Sequence, residues 1–248
     1  MEPVTPPRIC AVIPVLNEAG AIGPMLKRLP TVIDVAIVVD GGSSDTTVAE
    51  AREAGAIVLH ETRRGYGQAC QTGADYAETL GAELVVFMDG DGADSVENTS
   101  RLTAPVLQGQ ADFVLADRSA GERDPGSMGL HQILAGHLIG AAVGVIAGKR
   151  YRDMCAFRAI RVADLKQLGM REMGYGWNLE MQIRAARAGL RVLEVPMPYH
   201  NRIAGQSKVA GSLKGSLRAG QRIVRTLVSV GLTARKRMPE RVLDRSRL

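Results

Sequence analysis

The stretch ICAVIPVLNEAGAIGPMLKRLPTVIDVAIVVD, residues 9–40, decides the fold class. Its ends, 9–14 and 35–39, are short β-branched apolar runs of the kind that form strands buried on both faces, and between them Ile22, Met25, Leu26 and Leu29 fall at helical spacing. A strand, a helix and a second strand imply a crossover and therefore parallel pairing. Working outward, the alternation continues. Strand-like runs at 56–59, 84–88 and 112–117 are separated by helical spacings at Val48, Ala51 and Ala54 and at Ala69, Thr72, Ala74 and Ala77. The expectation is an α/β domain with a mostly parallel sheet. It covers residues 9–211, after a flexible 1–8 and before a basic helix and tail at 212–248. A composition of 46% apolar but only 4% aromatic residues suits helices packed on such a sheet better than a sandwich.

Charge is distributed unevenly. From Arg202 onward there are 12 Lys or Arg against 2 acids, which leaves 31 − 12 = 19 bases and 26 − 2 = 24 acids in residues 1–201. An acidic body with a basic tail is compatible with anionic lipid or a phosphorylated substrate, while the lack of stacking aromatics in the tail argues against single-stranded nucleic acid. Residues 212–232 place Leu213, Leu217, Val224, Leu227 and Val228 at near-helical spacing, a stripe that suits either a membrane surface or the domain's own core. Residues 128–148 contain no Asp, Glu, Lys or Arg. Five glycines dilute them, so a buried or membrane-facing pair of helices is expected rather than a span. The first residues carry neither a signal-like nor an anchor-like run, and the expected location is cytoplasmic or peripheral at the cytoplasmic membrane face. Cys10, Cys70 and Cys155 read as reduced core thiols, and His131 and His137, six apart, give no metal site.

In a parallel sheet the ligand lies at the carboxyl ends of the strands. The loops there are 14–18 (PVLNE), 40–45 (DGGSSD), 61–68 (ETRRGYGQ) and 89–94 (DGDGAD). Pro14, Asn17, Glu18, Asp40 and Gly65 are candidates to line a nucleotide. Asp89 and Asp91, projecting from one strand end, are hard oxygen ligands suited to Mg²⁺ or Mn²⁺ bridged to substrate phosphates.

Seven segments in order (VIPVLNE, VVDGGSSDTT, RRGYGQA, FMDGDGAD, LADRS, DMCAFRAIR and VPMPYHNRIAGQSKVAG) resemble the inverting family-two glycosyltransferases of GT-A fold, in particular the dolichyl- or polyprenyl-phosphate sugar transferases. The resemblance implies a nucleotide site at Asn17, Glu18 and Asp40 and a divalent metal at Asp89 and Asp91. It implies phosphate-binding cations at Arg118, Arg202 and Lys208, and acceptor-side acids at Asp153 and Glu180. The implied partners are a nucleoside-diphosphate sugar (UDP- or GDP-linked) and a lipid-phosphate or small-molecule acceptor. Two departures stand out: Gly41 replaces a second aspartate, and Ala93 replaces a metal-binding glutamine, with Asp94 the nearest substitute. A nucleotidyltransferase or a noncatalytic membrane-binding protein are the alternative readings. The first lacks its Gly-rich loop after the opening strand.

Overall fold

The computed structural model describes residues 8–205 and 225–230. Alternation along the first strand, β1 (Ile9–Val15), sets up a core on both sides of one sheet. Ile9, Ala11, Ile13 and Val15 belong to one buried cluster and Cys10 and Val12 to another. Its neighbours repeat the division: β2 (Val35–Asp40), β3 (Ile57–His60), β4 (Leu84–Phe87), β5 (Phe113–Asp117), β6 (Arg158–Arg161) and β7 (Val192–Pro196). The strands lie in the order β3-β2-β1-β4-β6-β5-β7, all parallel to their partners except β6, which is antiparallel to both β4 and β5.

Helices α1 (Ile22–Lys27), α2 (Thr47–Glu53) and α4 (Ser100–Leu107) cover one face, burying Ile22, Met25, Leu26, Ala51, Leu102 and Val106. The other face is covered by α3 (Tyr66–Thr79), α6 (Val162–Leu168) and α7 (Trp177–Arg187). On that side Trp177 meets Phe87 edge to face, with ring centroids 6.3 Å apart. All three cysteines are buried and free, as expected.

The expected pair of helices at 128–148 is instead one helix, α5 (Leu130–Ala147). Its glycines do not break it because they face the chain that follows. A Cβ on Gly140 would stand 1.8 Å from the Tyr151 carbonyl oxygen, so the close approach requires glycine. The basic tail lies mostly outside the described residues. Of the expected stripe, the described segment 225–230 buries Thr226 and Val230 against the body and packs Leu227 on the core, whereas Val228 is exposed.

Gly73 brings α3 onto the sheet: a Cβ there would lie 2.4 Å from Val12 Cγ1 and 3.0 Å from Val39 Cγ2. Overpacking such a contact is destabilising. Gly73→Val is expected to lower unfolding free energy by about 1–3 kcal/mol, seen as a lower denaturant midpoint at unchanged slope.

Candidate functional site

The strand order reverses direction around β1, with β2 on one side and β4 on the other, so the loops after β1 and β4 flank a crevice. The β1–β4 ladder ends at Val12↔Phe87, two residues before Pro14. Pro14, expected in the loop, is still in the strand paired with Val39, and it lies past the pairing with β4, where a missing N–H breaks no ladder bond on that side.

The loop after β1 is fastened to the loop after β2. Asn17, at φ 50°, accepts the Ser44 N–H at 2.8 Å on its Oδ1 and donates its own N–H to Ser43 Oγ at 2.8 Å, while the Glu18 N–H donates to Thr47 Oγ1 at 2.8 Å. Asp40 is almost fully buried. Its carboxylate accepts the Ser43 N–H at 3.0 Å and the Gly42 N–H at 3.2 Å, so it shapes the turn that Asn17 grips. Its geometry is the turn-forming one, where the sequence favoured a ligand contact. Asp45 accepts the Thr47 N–H at 3.0 Å, at the start of α2.

Opposite lie the carboxylates that follow β4. The Asp91 and Asp94 side chains are buried and Asp89 is partly so. Burial, and then the Asp91 charge, push the Asp89 carboxyl up to about 6, against the lowering influence of Arg118 and Arg202. Burial, followed by Asp89 and Asp91, pushes Asp94 up to about 8. Arg202 meets this negative charge, 2.9 Å from Asp91 and 3.4 Å from Glu18, and so joins the two sides of the crevice. It is held there by its own backbone. The Ile203 N–H donates to Asp91 O at 3.0 Å, the His200 N–H to Ala93 O at 2.9 Å, and Tyr199 forms a β-bridge with Asp94. Ile203 also lies over Gly92, at φ 74°, where a Cβ would come within 2.4 Å of it.

Among the described residues no three His, Cys, Asp or Glu side chains converge on one metal position. Asp94 does not complete a shell with its neighbours: its Oδ2 faces the Asp89 N–H at 3.4 Å and its Oδ1 the Cys155 thiol at 3.9 Å, beneath the loop. Two carboxylates with excess negative charge around them fit a hard divalent cation whose remaining ligands are phosphate and water.

Beside the carboxylates stands a cation held from three directions. Arg118, at the end of β5, makes a two-pronged pair with Asp153, Nε to Oδ2 and Nη2 to Oδ1 both at 2.8 Å, and its guanidinium lies 4.8 Å from the centre of the Tyr199 ring. Burial works against ionisation of Asp153, but the Arg118 charge together with the hydrogen bonds from Arg118 and the Met154 N–H holds the carboxyl below its usual range. Asp153 is therefore the orienter of Arg118. Tyr199, within the segment VPMPYHNR, was not singled out in the sequence, because nothing local distinguishes it from a core aromatic. A cavity of about 250 Å³ opens here, and its lining combines Arg118, Arg152, Asp153 and Ser119 with Ile133, Ile139 and Met154.

Two expected site residues serve the fold instead. Glu180, on α7 and almost fully buried, accepts the N–H groups of Arg171 at 2.8 Å and Glu172 at 2.6 Å and pairs with Arg184 at 2.7 Å. A carboxylate so engaged fastens the 171–172 loop. Gly65 permits a close approach, but to the protein: a Cβ there would lie 2.1 Å from Met173 O. Lys208 lies outside the described residues.

The sequence profile described as Glycosyl transferase family 2 matches residues 10–169. An uncharacterized glycosyltransferase of Mycobacterium tuberculosis is 34% identical over 213 residues, covering 84% of this chain and 93% of the relative. An undecaprenyl-phosphate mannosyltransferase of Micrococcus luteus is 30% identical over 226 residues, covering 84% and 90%. Among solved structures, glucosyl-3-phosphoglycerate synthase from Mycobacterium tuberculosis, in complex with Mn²⁺ and UDP-glucose, superposes with a TM-score of 0.70 at 21% identity. That match covers 91% of this chain and 79% of the other.

The raised carboxyls carry a pH signature. A group whose folded pKa lies above its unfolded value stabilises the fold fully below the unfolded value, here 3.8, and loses that contribution as pH rises through the folded value. Without metal, stability should fall as Asp89 and then Asp94 ionise, through about 6 and about 8. Metal must displace those protons. Mn²⁺ should therefore raise the melting temperature more at the alkaline end of that range than below it, which calorimetry with and without chelator measures.

Proposed function

From the premise that the chain belongs to glycosyl transferase family 2 and has its GT-A fold, we propose that it transfers a hexose from a nucleoside-diphosphate sugar to a lipid phosphate of the polyprenyl type. Family membership makes it a glycosyltransferase and sets aside the nucleotidyltransferase and noncatalytic readings. The observation that carries the acceptor class is the lining of the 250 Å³ cavity, which combines Arg118, Arg152 and the Ser119 and Ser127 hydroxyls with the aliphatic side chains of Ile133, Ile139 and Met154. That pairing matches a molecule with an anionic head and an apolar chain. Relatives named for undecaprenyl-phosphate and polyprenol-monophosphate chemistry support the same reading.

In the proposed mechanism the crevice between the loops after β1 and β4 takes the nucleotide, with the Asp40-shaped turn and Asn17 as its floor. Asp89 and Asp91 would hold a divalent cation, Mg²⁺ or Mn²⁺. When bound, it supplies Lewis-acid neutralisation of the departing diphosphate. Arg202, tethered through Ile203 and His200 to the loop after β4, presents a second positive charge at the same place. Charge develops on the leaving group, so preorganised cations there provide the largest catalytic contribution. Arg118, oriented by Asp153 and Tyr199, grips the acceptor phosphate with Arg152 at the cavity wall. The phosphate oxygen attacks the anomeric carbon from the face opposite the diphosphate, with inversion. A phosphate is ionised near neutral pH and needs no strong base, which agrees with Asp153 and Glu180 being committed elsewhere.

The test is a panel of UDP- and GDP-sugars with polyprenyl phosphate in detergent and Mn²⁺ or Mg²⁺, reading sugar transfer to lipid. The expected outcome is a glycosylated lipid phosphate with one donor class. Transfer only to water-soluble acceptors across the whole panel would sink the acceptor assignment. Asp91→Asn should reduce transfer by at least about a hundredfold, and normal turnover of that variant with unchanged metal dependence would remove Asp91 from the metal site. Arg202→Ala should lower turnover by about tenfold or more and, because it removes the cation that faces Asp91, lower the melting temperature of the metal-free protein as well.

A further inference from the structure

Residues 125–148 contain no Asp, Glu, Lys or Arg in a chain that is 23% charged. Within them α5 runs 18 residues, about 27 Å at 1.5 Å per residue, at a mean hydropathy of 1.6, yet only 11% of it is buried. A helix apolar all round belongs in a protein core or in lipid. Of this one's side chains only Val143 is fully buried in the core, with Ile139 and Ala147 packed against the same cluster.

Its two sides differ in what they do. Gly136, Gly140 and Gly144, four apart, face the chain at 150–152: Cβ atoms there would meet Arg152 O at 3.5 Å, Tyr151 O at 1.8 Å and the Arg150 Cα at 3.4 Å. Leu130, Leu134 and Leu138 are also four apart, and each lies two residues (about 200° around a helix) from a glycine or its equivalent position. They are 79%, 62% and 72% exposed, and Val145 further along is 89% exposed. The helix is thus seated on the domain along a glycine stripe and shows a leucine stripe outward. Seated this way it does not cross a bilayer, since spanning would strip it from Tyr151 and from Arg187, whose Nη2 donates to Ile146 O at 3.2 Å.

We propose that α5 is the membrane-docking element of this protein, lying in the plane of an anionic bilayer surface with Leu130, Leu134 and Leu138 in the acyl boundary. Lipid is the occupant that the charges favour. Lys149, Arg150 and Arg152 follow the helix directly, with Arg150 exposed and the Arg152 side chain 67% exposed, which puts cations at headgroup level. Position favours it as well. The flank of the same helix, at Ile133 and Ile139, lines the cavity beside Arg118, so an isoprenoid chain can pass from the bilayer along α5 to the cation without crossing water. The inference takes its purpose from the lipid-phosphate reading, while its evidence, the exposed stripe and the glycine seat, is independent of it.

Full-length protein and the Leu134→Glu/Leu138→Glu double variant, which alters no cavity-lining side chain, should be sedimented with vesicles of phosphatidylcholine alone or mixed with phosphatidylglycerol. The parent is expected to bind the anionic vesicles, and the double variant to bind at least about tenfold more weakly. Lys149→Glu/Arg150→Glu should weaken binding to anionic vesicles only. Because the basic tail can itself attract vesicles, Leu134→Trp supplies a local reading: its emission should shift to the blue when vesicles are added. Equal vesicle binding by parent and double variant, or no shift for Leu134→Trp, would overturn the proposal. So would a parent dimer that the double variant converts to monomer, since a second copy would then cover the stripe. Transfer to a short, water-soluble prenyl phosphate should be the same in parent and double variant. If neither transfers while docking behaves as expected, the acceptor reading fails and the docking helix stands.

Discussion

Three carboxylates within six residues, Asp89, Asp91 and Asp94, close the end of a fully buried strand, and gathering that much like charge away from water is unfavourable unless cations face it. Most of the site follows from this constraint. Arg202 reaches Asp91 because the chain after β7 is bonded across the loop that carries the carboxylates. Arg118 lowers the charged cost of Asp89 and Asp94 from the other side and is itself fixed by Asp153. Glycine is needed where these pieces touch. A Cβ on Gly90 would lie 2.6 Å from Val15 Cγ1, and one on Gly92 would strike Ile203.

The constraint also explains why acids that look alike in sequence differ in use. Asp153 and Glu180 are both buried carboxylates in the second half of the chain, and each is answered by an arginine. Asp153 orients an arginine that borders the cavity, whereas Glu180 gathers two backbone N–H groups and Arg184 to secure a loop. A carboxylate held by strong donors is a poor base. An acceptor that arrives ionised fits a site in which the neighbouring acids are spent on positioning.

Arg158 illustrates the same economy deeper in the sheet. It is fully buried and, among the described residues, makes no salt bridge; its guanidinium donates to the carbonyls of Ala156, Cys155 and Asn178 and lies 5.9 Å from the Phe113 ring centre. Burial, acting against the influence of the surrounding phenol and thiols, lowers its pKa from the usual arginine value. It fastens β6 to the start of α7, directly behind the cation and carboxylates of the crevice.

Local pattern was enough for the sheet and its loops. The apolar runs at 9–14, 35–39 and 84–88 are β1, β2 and β4 to within two residues, because a strand covered on both faces must be apolar continuously and a polar loop must follow it. The same logic put Glu18, Asp89 and Asp91 at one edge. What the pattern could not decide is which backbone each polar group or glycine would meet, since those partners lie far along the chain. Asp40 satisfies its own loop, but Gly65 lies against Met173, Tyr199 stacks on an arginine 81 positions earlier, and Arg202 reaches Glu18 184 positions away. The uncharged run at 128–148 declared its hydropathy in the sequence. Only the tertiary structure turned it into one helix with a seated side and an open side, because the glycines that look like breaks are the places where Tyr151 and Arg152 press against it.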